Sequence, residues 1–238
     1  VTKPAIQAVI DKVLADNKGK RVVSFNFEGQ TYWLKQPERL TGAMRWLKSQ
    51  PLQSFQLEIS ALQSLAAKGA PVPELVSFGD DYFVVADAGM PVNGLLADSD
   101  DPQQKLQILK DSAKGLAQLH QAGFAHGRPA LRDICWQDGK ITFIDFEANQ
   151  QDKNMARQQV RDLLVYIHSL YRYLGADHQL IDPALAYYRQ CGGETCWRYA
   201  QKRLSPWQWL GQLLWPFRYK GGKDLKPMYW VLKAFRRR

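Results

Sequence analysis

Apolar residues at Ile6, Val9, Ile10, Val13 and Leu14 follow the three-to-four spacing that gives a helix one buried face, and predict a helix from Pro4 to Asn17 with Thr2 as its N-cap. The period then changes. VVSFNF and TYWLK are rich in β-branched and aromatic residues and flank Glu28-Gly29, which reads as a hairpin. Pro37 to Lys48 reads as a loop and short helix, and Pro51 to Lys68 as a longer helix with Leu52, Phe55, Ile59, Leu62 and Leu65 along one side. Two more strands lie in ELVSFGDDYFVVADAG, around Gly79 to Asp81. The polar stretch from Pro91 to Pro102 is expected to be a loop, and Gln103 to Gln121 a long helix. Two apolar runs, ICW and ITFID, meet at Asp138-Gly139, a dipeptide suited to a two-residue hairpin turn. Past Glu147, ANQQDKNMARQQ has no period and reads as a mobile loop, followed by a helix from Val160 to Leu174 with Leu163, Leu164, Ile167 and Leu170 on one face. The remainder reads as helical pieces broken at Pro183, Gly192-Gly193, Pro206, Pro216 and Pro227. This order predicts an α/β (α+β) fold in two parts: residues 1–89 with an antiparallel sheet, and residues 90–238, larger and mostly helical.

Side chains with chemistry concentrate between Leu119 and Glu147. Asp133 precedes the first strand of the predicted hairpin and Asp145 follows the second, so one hairpin brings two carboxylates to the same edge. Such a pair suits a hard divalent cation held against phosphate oxygens. Lys35 ends a strand and Glu58 sits in a helix, either of which alone reads as a solvated charge.

These residues, in this order, resemble the protein-kinase-like superfamily, and within it the bacterial lipopolysaccharide (Kdo and heptose) core kinases and their aminoglycoside-phosphotransferase-like relatives. LHQAGFAHG resembles the LHxxGxxHG approach to the catalytic loop, and ITFIDFE the strand ending in the metal-binding DF(G/E/D) motif. The family pattern HGDLxxxNI reads here as His126, Gly127, Arg128, Pro129, three residues, Asp133, Ile134. Arg128 thus stands where the catalytic aspartate belongs, and Asp133 where a metal-binding asparagine belongs. The resemblance covers about Val22 to Leu170 and implies a bilobal fold using ATP and Mg2+. It gives Asp145 and Asp133 to magnesium, Lys35 to the phosphates and Glu58 to an ion pair with Lys35. Asp87, Ala88 and Gly89 become the hinge whose backbone reads adenine, and Asp162 the brace of the catalytic loop. His126 reads more plainly as a packing residue than as a proton carrier. A glycine-rich lid is not evident. Without the usual base, Asp133 or Glu147 would have to substitute, or none does. The implied activity is phosphorylation of a sugar hydroxyl of lipopolysaccharide core or a related membrane-associated acceptor. The alternative is a pseudokinase serving as a nucleotide-binding or structural adaptor at the inner membrane face.

Charge adds a second theme. The chain carries a net +9, and Lys202 to Arg238 holds ten Lys or Arg against one acid, Asp224, so the tail accounts for that excess. Its cations alternate with Trp207, Trp209, Trp215, Phe217, Tyr219, Tyr229 and Trp230, a composition suited to an anionic inner-membrane surface. A packed helical subdomain with solvated charges fits the same pattern, and nucleic acid is the weakest of the three readings. No apolar run reaches the roughly 18 residues of a membrane span. VTKPAIQAVIDKV carries charges where a secretory segment is continuous, so no signal peptide is expected. Cys135, Cys191 and Cys196 are too few for a disulfide framework, and CGGETC lacks the second ligand pair of a structural zinc site. Together these predict a cytoplasmic protein, peripheral at the inner membrane if the tail binds lipid. Acceptor identity and oligomeric state carry no motif.

Overall fold

The computed structural model describes residues 3–37, 51–146 and 154–236, and the chain divides into two compact units, Val1–Ala88 and Gly89–Arg238. The fold is mixed α+β, with an antiparallel sheet in the first unit and a larger, mostly helical second unit. Thr2, residues 38–48 of the expected loop and helix, the side chain of Leu52, and Glu147 lie outside the described residues.

The first unit runs α1 (Lys3–Asp16), β1 (Val22–Phe27), β2 (Gln30–Lys35), α2 (Pro51–Ala67), β3 (Leu75–Phe78) and β4 (Phe83–Ala86). Its four strands are antiparallel in the order β1-β2-β4-β3. Glu28 and Gly29 both hold positive φ, 49° and 78°, the two-residue turn whose twist matches the strands it joins. Helices cover both faces of the sheet. Ile6 and Ile10 of α1 close on Tyr32, Leu34 and Val84, while Phe55, Ile59 and Leu62 of α2 close on Phe83 and Val85. Alternation along a strand then decides where Lys35 goes: Leu34 pairs with Val84 on the α1 side, so Lys35, opposite Phe83, belongs to the α2 side.

The second unit begins with β5 (Met90–Pro91), α3 (Val92–Asp98) and α4 (Pro102–Gln121). A 3-10 turn at Leu131–Asp133 leads into β6 (Ile134–Gln137) and β7 (Lys140–Phe143), and β5-β6-β7 form an antiparallel sheet. Asp138 and Gly139, at φ 49° and 83°, make the expected turn. Then come α5 (Met155–Leu174), α6 (His178–Tyr188), a kinked segment Arg189–Gly193, α7 (Glu194–Leu204), a 3-10 turn at Ser205–Trp207, α8 (Leu210–Leu214), α9 (Phe217–Lys220) and α10 (Leu225–Ala234). Gly115 lets α4 approach β7, since a Cβ there would stand 2.8 Å from Ile141 Cγ2.

Three expectations are corrected. The stretch from Pro91 to Pro102 holds α3, whose two buried residues, Val92 and Leu96, are too few to show a period. The run read as a loop is helical from Met155, because the Asn154 side chain caps α5 by accepting from Arg157 N. Pro183 and Pro227 break nothing. Pro227 lies in the first turn of α10, where its missing N–H has no helical partner to lose. Pro183 is carried through α6 by the burial of Leu180, Ile181, Ala184, Leu185 and Tyr188 around it.

Candidate active site

The first unit sets a cation beside its sheet. Lys35 Nζ lies 3.3 Å from Glu58 Oε1 and 5.6 Å from the centre of the Phe83 ring. Both partners are partly exposed, 24% and 33%, so the pair adds little stability. What it fixes is the place of the ammonium. Of the expected hinge residues, Asp87 spends its side chain on Trp33, whose Nε1 donates to Asp87 Oδ1 at 2.6 Å, and its N–H on Thr31 O. Ala88 ends the first unit and Gly89 opens the second. Gly89 holds φ 87°, and a Cβ would stand 2.9 Å from Trp136 O, so only glycine enters here without strain.

In the second unit one helix organises the loop from His126 to Asp133. Asp162, fully buried on α5, accepts from His126 N at 2.5 Å and Gly127 N at 2.9 Å. Ser169, seven residues on and therefore on the same face, accepts from Leu131 N at 2.8 Å. Buried backbone N–H groups need such partners, because leaving one unmade costs about 1–3 kcal/mol. His126 extends the chain of bonds to the hairpin. Its Nε2 donates to Ile144 O at 2.8 Å, and its Nδ1 accepts from Arg128 N at 3.2 Å, which fixes one neutral tautomer. Burial lowers the His126 pKa, outweighing the Ile144 carbonyl and the carboxylates of Asp162, Asp133 and Asp145, which pull it up. The ring packs on Phe146 and Phe143, and both nitrogens serve the backbone. His126 is therefore built as a positioning residue.

Ile144 N donates in turn to Asp133 O at 3.0 Å, so Asp133 is tied to the residue just before Asp145. The two carboxyl groups differ in setting. Asp133 is 5% exposed, and its Oδ2 is buried with no hydrogen-bond partner, while Oδ1 lies 3.4 Å from Arg132 Nε. Burial pushes the Asp133 carboxyl up, against the pull of Arg132 and Arg128 and with the help of Asp145. Asp145 is exposed and held at φ 58°, a left-handed setting that Asp and Asn tolerate better than other side chains. Arg128 is exposed, and its charge acts on Asp133. A guanidinium has no acceptor and takes up no proton, so at this position it acts only as a fixed positive charge.

A divalent cation fits this donor set. Magnesium takes one or two carboxylates and completes its oxygen shell with phosphates and water, and a buried carboxylate oxygen lacking a partner is such a donor. No cluster of three or more His, Cys, Asp or Glu suited to a metal exists among the described residues, including around CGGETC. Cys191 lies in the kink after α6, and Cys196 sits on α7 against the Tyr188 hydroxyl, where burial pushes the thiol up to about 11.

Several supporting residues escape a sequence reading. Gln159, placed in the supposed loop, donates from Nε2 to the carbonyls of His120 and Phe124. His120 lies with Nδ1 2.8 Å from the Tyr188 hydroxyl and Nε2 3.4 Å from Asp162 Oδ2, so Asp162 is itself held from behind. The periodicity of α5 is the one signal that could have found Ser169, a polar residue that shares a buried, largely apolar face with Asp162.

Over 230 residues the chain is 34% identical to an uncharacterized protein of Haemophilus influenzae, covering 96% of this chain and 95% of that one. No family model matches the chain.

Proposed function

The chain belongs to the same family as this Haemophilus influenzae protein, and we propose that it is an ATP-dependent phosphotransferase acting on a sugar hydroxyl of lipopolysaccharide core or a related acceptor. One observation carries the reading. A series of hydrogen bonds runs from Asp162 through His126 and Ile144 to Asp133, and leaves a buried Asp133 oxygen without a protein partner beside the strand end that bears Asp145. Asp133 and Asp145 would hold magnesium, which supplies charge neutralisation at the phosphate oxygens. Lys35, fixed by Glu58, would take the phosphates, and the backbone of Asp87, Ala88 and Gly89 the adenine edge. Transfer forms a bond from the acceptor oxygen to the γ-phosphorus and breaks the bond to ADP, while the hydroxyl proton leaves for solvent. Losing a general base costs about a hundredfold to ten-thousandfold, so the reading is of a slow enzyme in which Arg128 offsets the charge of the transferring group.

The second reading is a pseudokinase adaptor, favoured by the same Arg128, whose charge already meets Asp133. Mg-ATP at about a hundred times its Kd should raise the melting temperature of the whole chain by about 5–10 °C. Asp145→Asn, which keeps the left-handed backbone accessible, and Lys35→Met should each remove the shift. No shift with any nucleotide sinks the enzyme and the nucleotide-binding adaptor, and leaves only a structural adaptor. Phosphoryl transfer from labelled ATP to a lipopolysaccharide core fraction, lost in Asp145→Asn and retained in Arg128→Ala, separates enzyme from adaptor.

A further inference from the structure

The C-terminal aromatics divide into two sets. Trp197, Trp230 and Phe235 are 7%, 5% and 1% exposed. Trp230 stacks on Tyr171 of α5 with ring centres 5.9 Å apart, and Trp197 lies 4.4 Å from Phe235. The other set does the opposite. Trp207, Trp209, Leu213, Trp215, Phe217 and Tyr219 are 44–60% exposed, and all belong to the run from Ser205 to Lys220.

The backbone of that run stays in the right-handed helical region through its joints at Gln208, Trp209, Trp215 and Pro216. Trp209, Leu213 and Phe217 therefore recur every four positions, the spacing of one helical face. The run is anchored to α10 through Gln208 Nε2, which donates to Leu232 O, and Trp230 Nε1, which donates to Arg218 O. Around it, Lys202, Arg203, Lys220, Lys223, Lys226, Lys233 and Arg236 are exposed. Asp224, the one acid between Lys202 and Arg238, is paired with Arg172. The Arg218 guanidinium lies 3.7 Å from the centre of the Trp215 ring and 5.0 Å from that of Tyr219.

We propose that Ser205–Lys220 lies flat in the interface of an anionic lipid bilayer, with its rings at headgroup depth and the surrounding cations on lipid phosphates. Charge and shape argue for that occupant. A second copy of the chain brings the same positive tail and is repelled. Nucleic acid stacks its bases on rings, yet Leu213, Leu225 and Met228 are 60%, 41% and 48% exposed and offer no π face. Aliphatic and aromatic side chains mixed on a helical run with a cationic border match an interfacial segment. This inference is independent of the phosphotransferase reading.

The test uses the whole chain with vesicles of phosphatidylcholine, with and without phosphatidylglycerol. Binding to the anionic vesicles should exceed that to phosphatidylcholine by about tenfold or more and weaken with salt, since each cation near such a surface strengthens binding about fivefold. Tryptophan emission should shift to the blue and be quenched by brominated acyl chains. Trp209→Ser with Leu213→Ser and Phe217→Ser should cut binding about tenfold or more without lowering the melting temperature. Lys220→Glu with Lys223→Glu and Lys226→Glu should abolish the preference for the anionic lipid. Equal binding to both vesicles, full binding by the serine variant, or no binding would overturn the proposal. So would displacement from vesicles by a single-stranded oligonucleotide, or a dimer in sedimentation that the serine variant dissolves while vesicles capture nothing.

Discussion

Two stretches of the second unit treat water in opposite ways. From Ala125 to Asp133 the chain is mostly buried, and its polar groups are matched one by one: His126 N and Gly127 N to Asp162, Leu131 N to Ser169, the imidazole to Ile144 O and Arg128 N. From Ser205 to Lys220 large apolar groups stand in solvent. Leaving a Trp or Leu side chain exposed forgoes about 1.5–3 kcal/mol of burial, while leaving a buried donor unmatched costs a similar amount. The loop has collected its gain inside the molecule, and the run has not. The loop's partners lie on α5 and at Ile144 just past β7, whereas the run meets α10 through Gln208 and Arg218 and leaves its rings largely in solvent. Asp133 Oδ2 is the exception that makes the loop informative, because among so many matched atoms an orphaned carboxylate oxygen points to a ligand.

The sharpest way to break this contrast is to remove the brace. Asp162→Ala strands two backbone donors and His120 in a buried site and should cost about 3–5 kcal/mol, seen as a fall of about 10 °C in melting temperature for a chain of this size. Trp230→Ala, which empties a site between α5 and α10, should cost about 3–5 kcal/mol. An Asp162→Ala melting temperature within about 2 °C of the parent would mean that the loop holds itself. Ser169→Ala should cost less, about 1–2 kcal/mol.

A weaker perturbation is protonation of His126. Its pKa is lower in the folded chain than its ordinary value of 6.5, so below pH 6.5 the unfolded chain binds more protons. Stability should accordingly fall as pH drops from 6.5 towards the folded pKa, and level off below it. Asp133 runs the other way. Its folded pKa lies above the ordinary 3.8, so its contribution is present at low pH and is lost as pH rises through that interval. Thermal melts across this range should show the slope below 6.5 flattened in His126→Gln, whose amide keeps a donor and an acceptor without titrating. An unchanged slope would move the titration to another group.

The difference between the regions also explains what a sequence reader sees. Both hairpins were legible because Glu28-Gly29 and Asp138-Gly139 are local signals: two residues at positive φ are dictated by the residues themselves. Lys35 with Glu58 was legible only through a family pattern, since their meeting depends on the register that puts Lys35 opposite Phe83. Ser169, Gln159 and His120 were not legible as loop supports, because each acts on a group more than 30 residues away in the chain, backbone for the first two and the Asp162 carboxylate for His120. The start of α5 was hidden for a different reason: its first buried residue is Val160, so a cap at Asn154 has no hydrophobic period beside it. In the tail, composition marked the aromatics without sorting them. Sorting needed the fold, for Trp230 and Trp209 have similar neighbours in sequence and opposite fates in space.

That sorting yields the smallest effect expected. Trp209 and Trp215 are 55% and 53% exposed, so Trp209→Ala and Trp215→Ala remove far less buried area than Trp230→Ala, and each should change stability by about 1 kcal/mol or less. Trp215 is the stricter of the two, because the Arg218 guanidinium over its ring adds about 0.5–1 kcal/mol at an exposed site. A denaturant titration resolves these variants from Trp230→Ala easily. Should Trp209→Ala cost as much as Trp230→Ala, the run is part of the core, its border of lysines is an ordinary solvated surface, and the contrast between the two stretches disappears. A near-zero value leaves those rings with no structural use inside the chain, and a reason for exposing them must then be sought in what they touch.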